Sequence, residues 1–133
     1  MTIPQTMKAA RFYEVNSPLK IEEGPVPEIK DDEVLVRVKA VGLCGSDIHM
    51  VFEGDMRPPF YPIIIGHEPS GVVAKTGANV TGWEEGDRVS IYPIIYCGSC
   101  SNCVAGHSEI CYNQQILGVH RDGALAEYIA VPA

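Results

Sequence analysis

Basic residues are scarce in this chain. Lysine and arginine number 10 against 17 aspartates and glutamates, a formal net charge of −7. No Lys/Arg stripe is available for phosphate contacts, so nucleic acid is not an expected partner. Long apolar runs are also missing, and no stretch reaches membrane-spanning length. The opening residues Met1–Met7 lack the basic and apolar parts of a secretory signal, which makes the cytoplasm the expected compartment. No G-x-G-x-x-G occurs. The phosphate-binding turn of a dinucleotide fold is therefore lacking. There is no internal repeat, no low-complexity tract and no long amphipathic helix.

What remains is a 133-residue chain with 46% hydrophobic and 20% charged residues, suited to one globular domain. Residues 1–6 read as a loose leader and 7–133 as the domain. Strands are expected at Lys8–Tyr13, Leu19–Glu23, Glu33–Gly42, Ser70–Thr76, Asp87–Tyr92 and Ala124–Val131, with Gly/Pro/Asn turns between them. The clearest is Glu33–Gly42, where Val34, Val36, Val38 and Ala40 fall on one face and Arg37 and Lys39 on the other. Ser46–Phe52 reads as a short helix with Ser46 or its neighbour as N-cap. Trp83 reads as a packing residue. Many short strands with little helix predict a mainly β fold, a barrel or a sandwich.

Four of the five cysteines lie close together at Cys97, Cys100, Cys103 and Cys111. Gly98, Ser99, Ser101 and Asn102 let the backbone wrap tightly between them. Four thiolates at such spacing can close a tetrahedron around Zn²⁺ and leave no position open, the mark of a structural site. The alternatives are a disulfide pair, free buried thiols, or a redox C-x-x-C motif. The last needs a strand before it and a helix after it, and here the following stretch is short and glycine-broken.

Cys44 is left over. It lies just past one strand end, and His67 and Glu68 lie just past the apolar run Ile63–Ile65. A cysteine, a histidine and a carboxylate make the mixed donor set of a catalytic zinc with an open position. A buried packing cysteine beside an ordinary His-Glu loop is the competing reading.

Gly42-Leu-Cys-Gly-Ser-Asp-Ile-His49, Gly66-His-Glu68, Gly86-Asp-Arg-Val89, the four-cysteine loop and Asp122-Gly-Ala-Leu-Ala-Glu-Tyr128 occur in one order. This pattern resembles the zinc-dependent medium-chain alcohol dehydrogenase superfamily, in its sorbitol-, threonine- and secondary-alcohol-dehydrogenase branches. The resemblance runs from about Met7 to the end and implies a GroES-like β-barrel with short helices and a zinc-binding loop. It implies two Zn²⁺ sites. Cys97, Cys100, Cys103 and Cys111 would hold the structural ion, and Cys44 and His67 the catalytic one. Glu68 would be a ligand or a nearby exchanging carboxylate. Ser46 matches the hydroxyl that passes the substrate proton, Asp47 a carboxylate that orients the site, and His49 the outer end of a proton relay. For His49, a solvent-facing helix histidine is the equal alternative.

The implied chemistry is oxidation of a small alcohol or polyol to a carbonyl, or the reverse, with hydride passing to NAD(P). The Rossmann domain that binds NAD(P) is absent from these residues. The chain thus reads as an N-terminal catalytic lobe, inactive alone and homo-oligomeric when full length. The alternative is a stand-alone zinc-binding structural or interaction module, which would need only the four-cysteine loop.

Overall fold

The computed structural model describes residues 2–133. Part of the expected leader, Met1, lies outside the described residues. The rest of it is not loose. Ile3 packs beside Met7 and Ala9, the Gln5 carbonyl accepts the Val26 N–H at 3.0 Å, and the first strand begins at Thr6.

Among the described residues nine strands follow in order: β1 (Thr6–Phe12), β2 (Lys20–Pro25), β3 (Glu33–Gly42), β4 (Ile63–Ile64), β5 (Glu68–Thr76), β6 (Arg88–Ser90), β7 (Ile94–Ile95), β8 (Gln115–Ile116) and β9 (Tyr128–Pro132). They form three antiparallel sheets ordered β2-β1-β4, β6-β5-β3-β9 and β7-β8. The helices are short, α1 at Gly45–Ile48 and α2 at Ser101–Val104. A π-helical turn, His49–Glu53, continues α1 and stops at Gly54 in the left-handed conformation, and a single 3₁₀ turn occupies Ser108–Ile110. Among the described residues no helix is long and apolar enough to cross a membrane.

The expected strand β3 is present, but its alternation breaks. Val34 and Val36 join Val73, Leu117, Ile129 and Val131 in one apolar cluster, while Leu35 points the other way and is also buried, with Met7, Ile64 and Tyr128. Both faces of its first half are covered. Register shifts at Leu35/Val36 and Val38/Ala40 then turn the strand, so Ala40 is exposed and Val41 packs inward in its place.

The last predicted strand is shorter than expected. Residues 124–127 instead bridge the two larger sheets. The Leu125 carbonyl accepts from Ala10, Glu127 N–H donates to the Lys8 carbonyl, and the Glu127 carbonyl accepts from Val38. On the other side, Ala124 and Leu125 N–H groups donate to Gly66 and Ile65. This segment closes the barrel and fastens the turn that carries His67.

Candidate metal centres

The β7-β8 pair, with Ile94 opposite Ile116 and Ile95 opposite Gln115, forms the neck of the cysteine loop. It fixes where Cys97 leaves and where Cys111 returns. Cys100 is the N-cap of α2, so the first helical turn carries Cys103 back over it. The sulfurs stand 3.5 Å apart for Cys100–Cys103, 3.5 Å for Cys97–Cys111 and 3.9 Å for Cys100–Cys111. A disulfide needs about 2.0 Å, and all five cysteines are free. A Zn²⁺ tetrahedron with bonds of about 2.3 Å has sulfur–sulfur edges of about 3.8 Å. The loop is already close to that shape.

Donors surround the sulfurs. Cys100 N–H reaches Cys97 Sγ at 3.3 Å, and the N–H groups of Cys97 and Asn113 reach Cys111 Sγ at 3.4 and 3.3 Å. Backbone N–H groups of Ser99 and Cys100, with the Ser99 hydroxyl and the Asn113 amide, hold the Cys97 thiol down to about 5. Hydrogen bonds from the backbone at Cys103 and Tyr112 also lower Cys100. Burial, with the neighbouring sulfurs, pushes Cys103 up to about 12. A cluster that stabilises negative sulfur at two positions suits a dication, which also drives off the remaining thiol protons.

The second group forms where β3 and β5 end together. Gly42 pairs with Glu68 at the last rung of their ladder. Cys44 follows Gly42 by two residues and is the N-cap of α1. The cap thus lies earlier than Ser46. Asp47 Oδ2 accepts the Cys44 N–H at 3.0 Å and anchors the helix start there, which leaves the Ser46 hydroxyl free to turn toward His67. Across the site, Gly66 has φ +93 and turns the chain sharply from β4 into His67. Residues with a side chain rarely adopt that conformation. A side chain there would also meet Leu125 and Val41.

One ligand atom each of Cys44, His67 and Glu68 lies within 4.8 Å of the others. Ser46 Oγ is 3.4 Å from His67 Nε2. On the other side of the ring, His67 Nδ1 is 3.4 Å from Asp47 Oδ1. Both of those atoms are buried and neither has any other partner. A buried carboxylate aimed at one ring nitrogen fixes which nitrogen faces the site, as carboxylates do behind metal-ligating histidines. With a thiol, an imidazole and a carboxylate converging, the donor set fits a zinc-type ion.

His49 is not in this group. It sits exposed on the π-helical turn, with Nδ1 2.6 Å from Glu53 Oε2, and that bond raises its pKa. Glu53 and Asp55 complete a third, fully exposed cluster with it. Phe60 lines a cavity of about 610 Å³ that includes Arg11, Lys30 and Arg121, and Tyr92 lines an apolar one of about 420 Å³. Trp83, expected to pack, is 45% exposed at the edge of the latter. Tyr61 stacks edge-on against Phe12, with ring centres 5.5 Å apart. Sequence reading missed the Gly42–Glu68 juxtaposition and the Glu53 partner of His49. An i,i+4 spacing was the available signal for the latter.

The family described as alcohol dehydrogenase GroES-like domain matches residues 30–133. The chain is 42% identical over 131 residues to the sorbitol dehydrogenase of Bacillus subtilis, covering 96% of this chain and 37% of that protein. It is 41% identical over 133 residues to the L-threonine 3-dehydrogenase of Symbiobacterium thermophilum, covering 96% and 37%. Among solved structures, the cobalt- and zinc-bound thermostable alcohol dehydrogenase of Pyrobaculum aerophilum superposes with a TM-score of 0.89 at 37% identity, covering 96% of this chain and 39% of that one. The chain thus spans just over a third of the length of these relatives. The mainly β barrel, its cysteine loop and the match over residues 30–133 agree: the chain belongs to the alcohol dehydrogenase GroES-like domain family.

Proposed function

We propose that this chain is the zinc-binding catalytic lobe of an NAD(P)-dependent alcohol or polyol dehydrogenase. The observation that carries the reading is the convergence of Cys44, His67 and Glu68, with Asp47 seated behind His67. Cys97, Cys100, Cys103 and Cys111 would form a closed all-sulfur zinc site that fixes the 97–111 loop.

Zn²⁺ at Cys44 and His67, with Glu68 as ligand or exchanging neighbour, would act as a Lewis acid that lowers the pKa of an alcohol brought to it. Ser46 Oγ, 3.4 Å from His67 Nε2, lies beside that position and takes the hydroxyl proton. His49, exposed and bonded to Glu53, would pass the proton on to water. Asp47 keeps His67 in one orientation through its Nδ1 side. NAD(P), when bound, would supply the hydride acceptor, so that an alcohol would yield a carbonyl, reduced cofactor and one proton. NAD(P) would be held by a Rossmann domain outside these residues, and the lobe alone is inactive. The cytoplasm, where thiols stay reduced, is the fitting compartment, and the full-length enzyme is a homo-oligomer.

Cobalt replaces zinc at such sites and reports its ligands in the visible spectrum. The Co²⁺-loaded chain is expected to change spectrum when a small polyol such as sorbitol is added, because one position stays open. A spectrum indifferent to alcohols, polyols and carbonyls alike contradicts the catalytic reading.

A further inference from the structure

Gly42 ends β3 in a backbone conformation open to any residue, so glycine is not there for its φ angle. It is there for space. A Cβ built on Gly42 would overlap Glu68 Oε2 and lie 3.2 Å from Glu68 Cβ and 3.5 Å from Glu68 Cδ. The Glu68 carboxylate is therefore folded over the bare Cα of the residue opposite it in the ladder. In an antiparallel pair, directly opposed side chains share one face and compete for one volume. This is the same carboxylate that stands within 4.8 Å of the Cys44 and His67 ligand atoms.

We propose that Gly42 is a positioning residue: its missing side chain is the seat that keeps the Glu68 carboxylate beside Cys44 and His67. The proposal rests on the reading of those three residues as a metal site. With any side chain at 42 the carboxylate must leave its place, because the alternative is to part the last rung of β3 and β5. That rung also sets the start of the Cys44 segment, so the seat ties a donor from one strand to a donor just beyond its partner.

The test is a double-mutant cycle on the chain with its four-cysteine site filled by Zn²⁺, titrated with Co²⁺ at the second site. Gly42→Ala is expected to weaken Co²⁺ binding about tenfold or more and to alter its visible spectrum. In a Glu68→Ala background, Gly42→Ala is expected to change neither. Equal loss in both backgrounds, or no loss in either, overturns the proposal. If Gly42→Ala does not fold, recovery of folding in the double variant supports the seat, and failure of both overturns it. Absence of Co²⁺ binding by the unmodified chain would overturn the metal reading itself. A melting-temperature cycle between positions 42 and 68 then still decides whether Gly42 seats the carboxylate.

Discussion

Asp47 Oδ1 faces His67 Nδ1 across 3.4 Å, both atoms buried and both without another partner. Its second oxygen accepts the Cys44 N–H. One carboxylate thus reaches both segments that bring Cys44 and His67 together. Asp47→Ala should weaken metal binding at this site about 10- to 100-fold while the four-cysteine site keeps its ion. Competition with a chelator, followed separately for each site, measures both. Unchanged affinity would mean that His67 needs no orienting partner.

Gly66 holds φ +93 one residue before His67. Gly66→Ala forces an alanine into the left-handed region and against Leu125 and Val41. The expected cost is about 1–2 kcal/mol or more of unfolding free energy. Urea denaturation reads it. A variant as stable as the parent would show that this turn relaxes freely.

Glu33 is buried between two donors. Its Oε1 accepts from Arg121 at 3.1 Å and its Oε2 from the Lys30 N–H at 3.1 Å. Burial pushes its pKa up, but the Lys30 N–H and Arg121 together outweigh it and hold the carboxyl below the ordinary 4.5. A folded pKa below the unfolded one stabilises the protein above pH 4.5, and that contribution is lost as pH falls through the folded value. The chain should therefore be more stable than Glu33→Gln at neutral pH, and the gap should close in acid. Melting temperatures of both proteins between pH 3 and 7 give the comparison.

The cysteine loop should depend on metal more than on chain contacts. Its Cys97, Ser101 and Glu109 are exposed, and α2 is a single turn without buried residues. Cys103→Ser should release the structural ion and open residues 97–111 to protease, leaving the barrel intact. Limited proteolysis with and without chelator is the measurement.

Much of this was legible because it is local. The thiol spacing at Cys97–Cys111 names its chemistry, and the valine-rich run at Val34–Val38 names a strand. Other features depend on what lies opposite. Ala40 and Val41 exchange faces because β3 shifts register against β5. The N-cap falls on Cys44 because Asp47 bonds back to it and Ser46 is drawn toward His67. Residues 124–127 leave the ladder because two sheets compete for their backbone. Nothing along the chain indicates that Glu68 rests over Gly42, since 25 residues of other structure separate the two positions.

This lobe alone is expected to assemble two metal centres. Zinc per chain, by elemental analysis of protein purified under reducing conditions without chelator, tests it most directly. About two zinc ions are expected in the unmodified chain and about one in Cys44→Ala, with the four-cysteine site still filled. One zinc in both proteins would contradict it and leave only the structural site.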